Sequence, residues 1–465
     1  PRVGDYTNIT NVGLRMIAIV AARELALVAD AEALAELRAL FATLDRLDTH
    51  AGFFFNYYDT TSLERTSNLV SFVDSAWLTA GLMVVRATFP ELRAMATRLI
   101  DAQDYRFFYD RTAELMSHGY YVHRASRSLF HYGVLYAESR LGSLIAIGKG
   151  DVPEEHWFRM VRTFPPACRW QANQPVGRPP KDVRGHQVLG GWYEWRGVRF
   201  VPSWGGSAFE ALMPTLVLDE GRHAPASLGA NNTAHARVQR RYALETLGYP
   251  VWGMSPSATP AGPGYGEYGV RVLGSLGYPA GAVTPHASAL ALAVTPTEAI
   301  ANLRRLAERY DVYGEFGLYD AVDPVSGQVA HAYLALDQSM ILIAVANYLK
   351  DGVVQRRFAA DPTVARVLPL LAAEKLLRLR RRHDRRGSGP AGQYRALERC
   401  GSARRPNVYH RKGRVLNDAR PLRQGHDVRR LRDIHRLAGE SGSPGIRRPE
   451  VQPRSAAARL ERLPA

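Results

Sequence analysis

Apolar residues return every three or four positions in one segment after another of this 465-residue chain. That rhythm commits most of it to amphipathic helices that must cover one another. The pattern predicts helices over 11–27, 31–47, 70–88, 90–100, 129–147, 208–217, 234–247, 296–310 and 336–349. The helix at 296 has strong start chemistry: Thr295 as cap, Pro296 at the first helical position and Glu298 completing a capping box. Long connections rich in aromatics and glycine separate the helices, at 53–59, 190–206 and 252–269. One hairpin is predicted, 191–195 with 198–201 around an Arg196-Gly197 turn. Helices that bury each other while long loops gather at one end suit an all-α fold, a barrel of helix pairs with a cleft. No fixed-period repeat is visible, which argues against a solenoid.

The formal net charge of +16 points toward nucleic acid until its distribution is read. From Leu376 onward lie 24 of the 60 Lys/Arg and 8 of the 44 Asp/Glu, so the first 375 residues hold 36 of each sign. Basicity belongs to the tail, 376–465, which is rich in Arg, Gly, Pro and Ser with Tyr394 and Tyr409 as its aromatics. Such a segment buries too little apolar area to offset its ordering entropy, and it is expected to be disordered or foreign to the fold. As a nucleic-acid arm it lacks the interleaved aromatics that stack on bases, so no nucleic-acid partner is expected. Cys168 and Cys400 fall on opposite sides of that boundary, and no Cys-x-x-Cys or Cys/His metal spacing occurs. No stretch reaches the ~18 to 20 apolar residues of a membrane helix, and no charged-then-apolar segment of the signal type opens the chain.

Several pieces of the body occur in a recognisable order. They are Thr10-Asn11-Val12-Gly13-Leu14, Phe55-Asn56-Tyr57-Tyr58-Asp59-Thr60, and Val70-Ser71-Phe72-Val73-Asp74-Ser75-Ala76-Trp77-Leu78. The run 138–158 follows, then Ser203-Trp204-Gly205-Gly206-Ser207-Ala208-Phe209-Glu210 and Thr284-Pro285-His286-Ala287. Gly317-Leu318-Tyr319-Asp320-Ala321 and Leu336-Asp337-Gln338-Ser339-Met340 close the set. Together they resemble the bacterial glucoamylase-like family, which includes endo-β-1,2-glucanases and a region of the cyclic β-1,2-glucan synthases. The resemblance covers residues 1–375 and implies an (α/α)6 barrel acting on an oligo- or polysaccharide, a glucan, with no cofactor and no metal. It also favours a secreted or periplasmic location.

Cleaving a glycosidic bond needs two carboxyl groups, one protonating the leaving oxygen and one activating water or attacking the sugar. Glu138 is the candidate acid, the position at which the resemblance places a catalytic glutamate. A carboxylate among Leu135, Leu141, Leu144 and Ile145 is costly unless it is paired, protonated or at a cleft, and pairing with Arg140 is the alternative. Asp74 is the candidate second carboxylate, although Ser71 and Asp74 also read as a helix cap and its first-turn acid. In related hydrolases two acids stand in this segment, and Ser71 occupies the place of one. Glu210 completes a capping box with Ser207, yet Trp204-Gly205-Gly206 would set that helix end at a cleft. Asp59, Asp320, Asp337, Gln338 and His286, the last in a loop, read as ligands to sugar hydroxyls. Tyr57, Tyr58, Trp204, Trp252 and Tyr319 read as stacking platforms or as core.

Three functional classes follow: a glucan hydrolase, a glucan transglycosylase and a non-catalytic glycan-binding protein. The synthase branch carries a glutamate in the segment matching 253–257, where this chain has Pro256, and that favours hydrolysis. The run 264–269 fits G-x-G-x-x-G by spacing, but no strand precedes it and no βαβ pattern surrounds it, so dinucleotide binding is set aside.

Overall fold

A computed structural model describes residues 4–377; the expectation for the tail lies outside the described residues beyond Leu377. Helices dominate in chain order: α1 (Ile9–Glu24), α2 (Asp30–Leu44), α3 (Phe72–Thr88), α4 (Arg93–Ala102), α5 (Arg140–Lys149), α6 (Glu155–Arg159) and α7 (Ala208–Leu212). They continue with α8 (Glu220–His223), α9 (Leu228–Arg241), α10 (Pro285–Ala291), α11 (Pro296–Arg309), α12 (Ala335–Leu349), α13 (Val353–Ala359) and α14 (Pro362–Leu371). Among the described residues no helix is long and apolar enough to cross a membrane.

The helix α3 is buried without a break from Phe72 to Val85, so it is covered on all sides rather than along one stripe. It packs on α1, which in turn packs on α12. Two glycines make the α1–α3 crossing close. A Cβ on Gly81 would lie 2.5 Å from the Gly13 carbonyl oxygen, and one on Gly13 would strike the Trp77 carbonyl. At the far end of α3, Arg86 donates to both oxygens of Asp361 (2.7 and 2.8 Å), and Asp361 also accepts from Thr363 N–H to cap α14. That helix lies on α5, where Gly148 sits against the Thr363 backbone.

Loops carry short antiparallel ribbons of two or three strands. The predicted hairpin forms, pairing Tyr193–Trp195 with Val198–Phe200. Positive φ at Arg196 (45°) and Gly197 (78°) makes its turn the type whose twist matches the strands.

Differences from the sequence reading concentrate where polar or glycine residues interrupt an apolar rhythm. Residues 129–139 are not helical; Val134 instead bridges Val161, and α5 begins only at Arg140. The span 208–217 breaks after Leu212 into a 3₁₀ turn opened by Met213-Pro214. His286 lies in the first turn of α10, with Thr284 as N-cap and Pro285 at the first position, not in a loop. The predicted capping box at 295 does not form: Thr295 makes no cap hydrogen bond, and its hydroxyl is buried without a partner among the described residues.

Candidate functional site

Asp74 occupies the first turn of α3. The Ser71 hydroxyl caps that turn by accepting from Asp74 N–H (3.4 Å), so the cap reading of this pair holds. The Asp74 side chain is buried, and the Thr10 hydroxyl donates to its Oδ1 (2.7 Å), fixing the carboxylate from the start of α1. Glu138 stands in the turn just before α5, and it too is buried. Arg140 is committed elsewhere: its fork binds both oxygens of Glu220 at 2.7 and 2.9 Å, and further N–H groups donate to the Ala137 and Ala211 carbonyls.

Tyr132 lies in the electrostatic field of both carboxyl groups. Burial raises its hydroxyl well above the ordinary phenol value, and the charges of Glu138 and then Asp74 push it further. The two helices that begin beside these acids pack on each other: a Cβ on Gly142 of α5 would lie 2.7 Å from the Phe72 ring of α3. The Tyr132 ring itself packs against His118 (centroids 4.3 Å apart) and Phe72 (5.7 Å) and stays half-buried.

Glu210 forms the complete capping box with Ser207, and its carboxylate also accepts from Gly205 N–H (2.9 Å) and the Ser203 hydroxyl (2.8 Å). Burial first and Glu138 second push its pKa up to about 7, against the hydrogen bonds that favour the charged form. The capping role and proximity to Glu138 therefore coexist. Burial, Glu210, Glu267 and Glu138 likewise raise the Tyr278 hydroxyl.

The field continues to Tyr265. Its ring is 46% exposed, yet burial, Asp337, Asp320, Glu267 and Tyr57 raise its hydroxyl well above 10. The sequence reading missed all three tyrosines. Tyr265 sat inside the discarded glycine spacing, and Tyr132 inside a segment taken for helix.

Other predicted residues are placed differently. Tyr58 is core: its ring is closed to solvent, while its hydroxyl donates to the Asp48 carbonyl (2.5 Å) and accepts from Phe55 N–H (2.7 Å). Its neighbour Tyr57 points the other way from the ribbon and stays half-buried. Trp252 is core as well, held through its backbone by Asn302 (3.1 and 2.8 Å). Trp204 packs against Trp170 (5.4 Å) in a separate small cluster with Phe164 and Tyr278. Asp59 uses Oδ1 to accept from Thr61 and Ser62 N–H, closing a loop, and those bonds lower its pKa. Gln338 donates to the Leu318 carbonyl (2.9 Å). Tyr319 is half-buried beside His331 (4.6 Å) and Tyr333 (5.0 Å), an aromatic face that also includes exposed Phe316. His286, Asp320 and Asp337 meet one another in a buried cluster.

Comparison with known proteins bears on this arrangement. Residues 170–362 match the family described as "Putative glucoamylase". The cyclic β-(1,2)-glucan synthase NdvB of Rhizobium meliloti (strain 1021) is 34% identical over 302 residues, which span 62% of this chain and 9% of that protein. This chain therefore corresponds to a small part of that relative. An endo-β-1,2-glucanase from Chitinophaga pinensis, solved with sophorotriose and glucose, shares the fold at a TM-score of 0.61 and 18% identity, over 79% of this chain and 88% of that one. A β-1,2-glucanase from Parabacteroides distasonis does so at a TM-score of 0.66 and 17% identity, over 80% of this chain and 55% of that one. The resemblance to the glucoamylase-like family is thus present in both sequence and fold.

Proposed function

We propose that residues 1–375 of this glucoamylase-like chain form the catalytic domain of a glycoside hydrolase, an (α/α)6 barrel that cleaves a glucan. A β-1,2-linked glucan is the first substrate to test, since relatives of the same fold are β-1,2-glucanases. What supports the reading is that Asp74 in the first turn of α3 and Glu138 just before α5 are both buried at the starts of two helices that pack on each other. In this reading Glu138 protonates the leaving glycosidic oxygen. Asp74, held by Thr10, takes a proton from water or meets the anomeric carbon. Tyr57, Tyr265 and Tyr319 supply faces and hydroxyls for sugar rings. The test is incubation of the purified chain with a panel of α- and β-glucans while following new reducing ends. Release from β-1,2-glucan that disappears in Glu138→Gln supports the proposal, and turnover that survives that substitution removes it.

A second reading, transglycosylation, is favoured by the identity to a region of a glucan synthase. It predicts exchange of chain lengths without new reducing ends in the same assay.

A further inference from the structure

Three buried side chains from three separate segments face one another. His286 lies in the first turn of α10, Asp320 precedes the strand Ala321–Val322, and Asp337 lies in the first turn of α12. None is more than 1% exposed. One imidazole nitrogen and one oxygen from each carboxylate all lie within 4.8 Å of one another, and His286 Nδ1 is 3.5 Å from Asp337 Oδ2.

Most of their inward polar atoms have no partner outside the cluster among the described residues. His286 Nδ1, Asp320 Oδ1 and both Asp337 oxygens are buried, and beyond the contact of the two carboxyl groups with each other they accept no hydrogen bond among the described residues. No Lys or Arg among the described residues pairs with either aspartate. Two adjacent carboxyl groups beside a ring nitrogen, removed from water, are expensive to ionise and need either a shared proton or a cation between them. The atoms that are satisfied are the outer ones. Asp320 Oδ2 accepts from Ala258 N–H (2.6 Å), and the Thr284 hydroxyl lies 3.3 Å from His286 Nε2. If Nε2 carries the ring proton toward Thr284, Nδ1 presents a lone pair inward. An outer partner that sets the tautomer while the other nitrogen faces the centre is how a metal-binding histidine is oriented.

We propose that His286, Asp320 and Asp337 bind one divalent first-row transition cation, with Mn2+ and Zn2+ as the candidates. The donor set decides the class. An imidazole with carboxylates suits these ions, whereas Ca2+ and Mg2+ prefer oxygen alone. The ion neutralises the buried pair and ties α10 to α12. Through Asp320 it also holds Ala258, whose ribbon partner is Tyr265. The inference does not depend on the hydrolase reading.

The test uses the full chain, purified without added metal and again after dialysis against a chelator. Elemental analysis should find about one equivalent of manganese or zinc per chain, and the melting temperature of the stripped protein should rise by a few degrees when Mn2+ or Zn2+ is restored. Equal amounts of Ca2+ or Mg2+ should not substitute. His286→Gln and Asp337→Asn should lose both the equivalent and the melting response. In the wild-type Mn2+ form, electron spin-echo modulation should show coupling to one imidazole nitrogen, a readout independent of whether the variants fold. Less than about a tenth of an equivalent with no melting response would overturn the site. So would an unchanged metal content in His286→Gln, a response to Ca2+ or Mg2+ alone, or a Mn2+ form without nitrogen coupling. An Asp337→Asn protein that melts like the wild type and ignores metal in both forms points to a shared proton instead, and also overturns it.

Discussion

Arg140 and Glu220 form a two-pronged ion pair, Nε to Oε1 at 2.7 Å and Nη2 to Oε2 at 2.9 Å, with neither side chain exposed. Asn232 donates to the same carboxylate (2.7 Å) and accepts from the Tyr136 hydroxyl (2.6 Å). The pair anchors the start of α5, and with it the turn that carries Glu138. Removing one partner leaves a buried charge behind, so Glu220→Gln should lower unfolding stability by about 3–5 kcal/mol in denaturant titration. A loss below about 1 kcal/mol would show that the guanidinium finds other partners.

Activity should separate chemistry from stability at Glu138 and Asp74. Glu138→Gln and Asp74→Asn keep shape and hydrogen-bond capacity; the amide oxygen at 74 still accepts from Thr10. Each should cut reducing-end release by about 10²-fold or more with little change in melting temperature. An equal, small loss in both would assign them to positioning rather than catalysis.

The pH dependence of stability should carry the mark of Glu210. Its folded pKa is raised from 4.5 to about 7, so between those values the folded chain holds a proton that the unfolded chain releases. That contribution is complete below about pH 4.5 and lost as pH rises through 7, on the order of 2–3 kcal/mol. His156 and His235 act in the opposite sense. Burial holds them at about 4 and about 3, so their contribution is present above 6.5 and fades on acidification. Comparing wild type with Glu210→Gln isolates the first effect: the variant should lack the fall between pH 4.5 and 7.

Tyr57 and Tyr58 offer a test of side-chain direction. Tyr58→Phe deletes a buried hydroxyl bonded to Asp48 and Phe55, and should cost about 1–3 kcal/mol of stability with no change in KM. Tyr57→Ala should raise KM for the glucan while leaving the fold intact. The reverse assignment of effects would put Tyr58 rather than Tyr57 against the substrate.

Gly81→Ala tests the helix crossing. The added methyl would sit 2.5 Å from the Gly13 carbonyl oxygen, and backbone on both sides leaves no flexible neighbour to yield. A cost of about 1–3 kcal/mol is expected, read as a lower unfolding midpoint.

Helices with long apolar rhythms were legible from sequence to within a few residues: α1, α2, α3, α11 and α12 all lie where the spacing puts them. The misreadings have physical causes. Around 129–139 the apolar residues keep a helical spacing, but Gly133 and the bridge from Val134 to Val161 give the backbone another partner. Tyr57 and Tyr58 are chemically identical, and only the strand's alternation separates platform from core. Asp320 and Asp337 look like sugar ligands one at a time; their meeting with His286 depends on helix packing that no local pattern encodes. The packing of α3 on α5, which sets the neighbourhoods of Asp74 and Glu138, is of the same kind; the family resemblance indicated candidate acids but not how their helices meet.

The clasp between Arg86 and Asp361 has a consequence for biosynthesis. Helices made early expose apolar flanks whose cover, α12 to α14, is translated only after more than 200 intervening residues. A nascent chain must therefore keep α1 and α3 shielded, by transient collapse or by a chaperone, until Asp361 has cleared the ribosome. Shortening the gene before that codon should yield aggregates rather than a smaller folded product, however intact the acids at 74 and 138 remain.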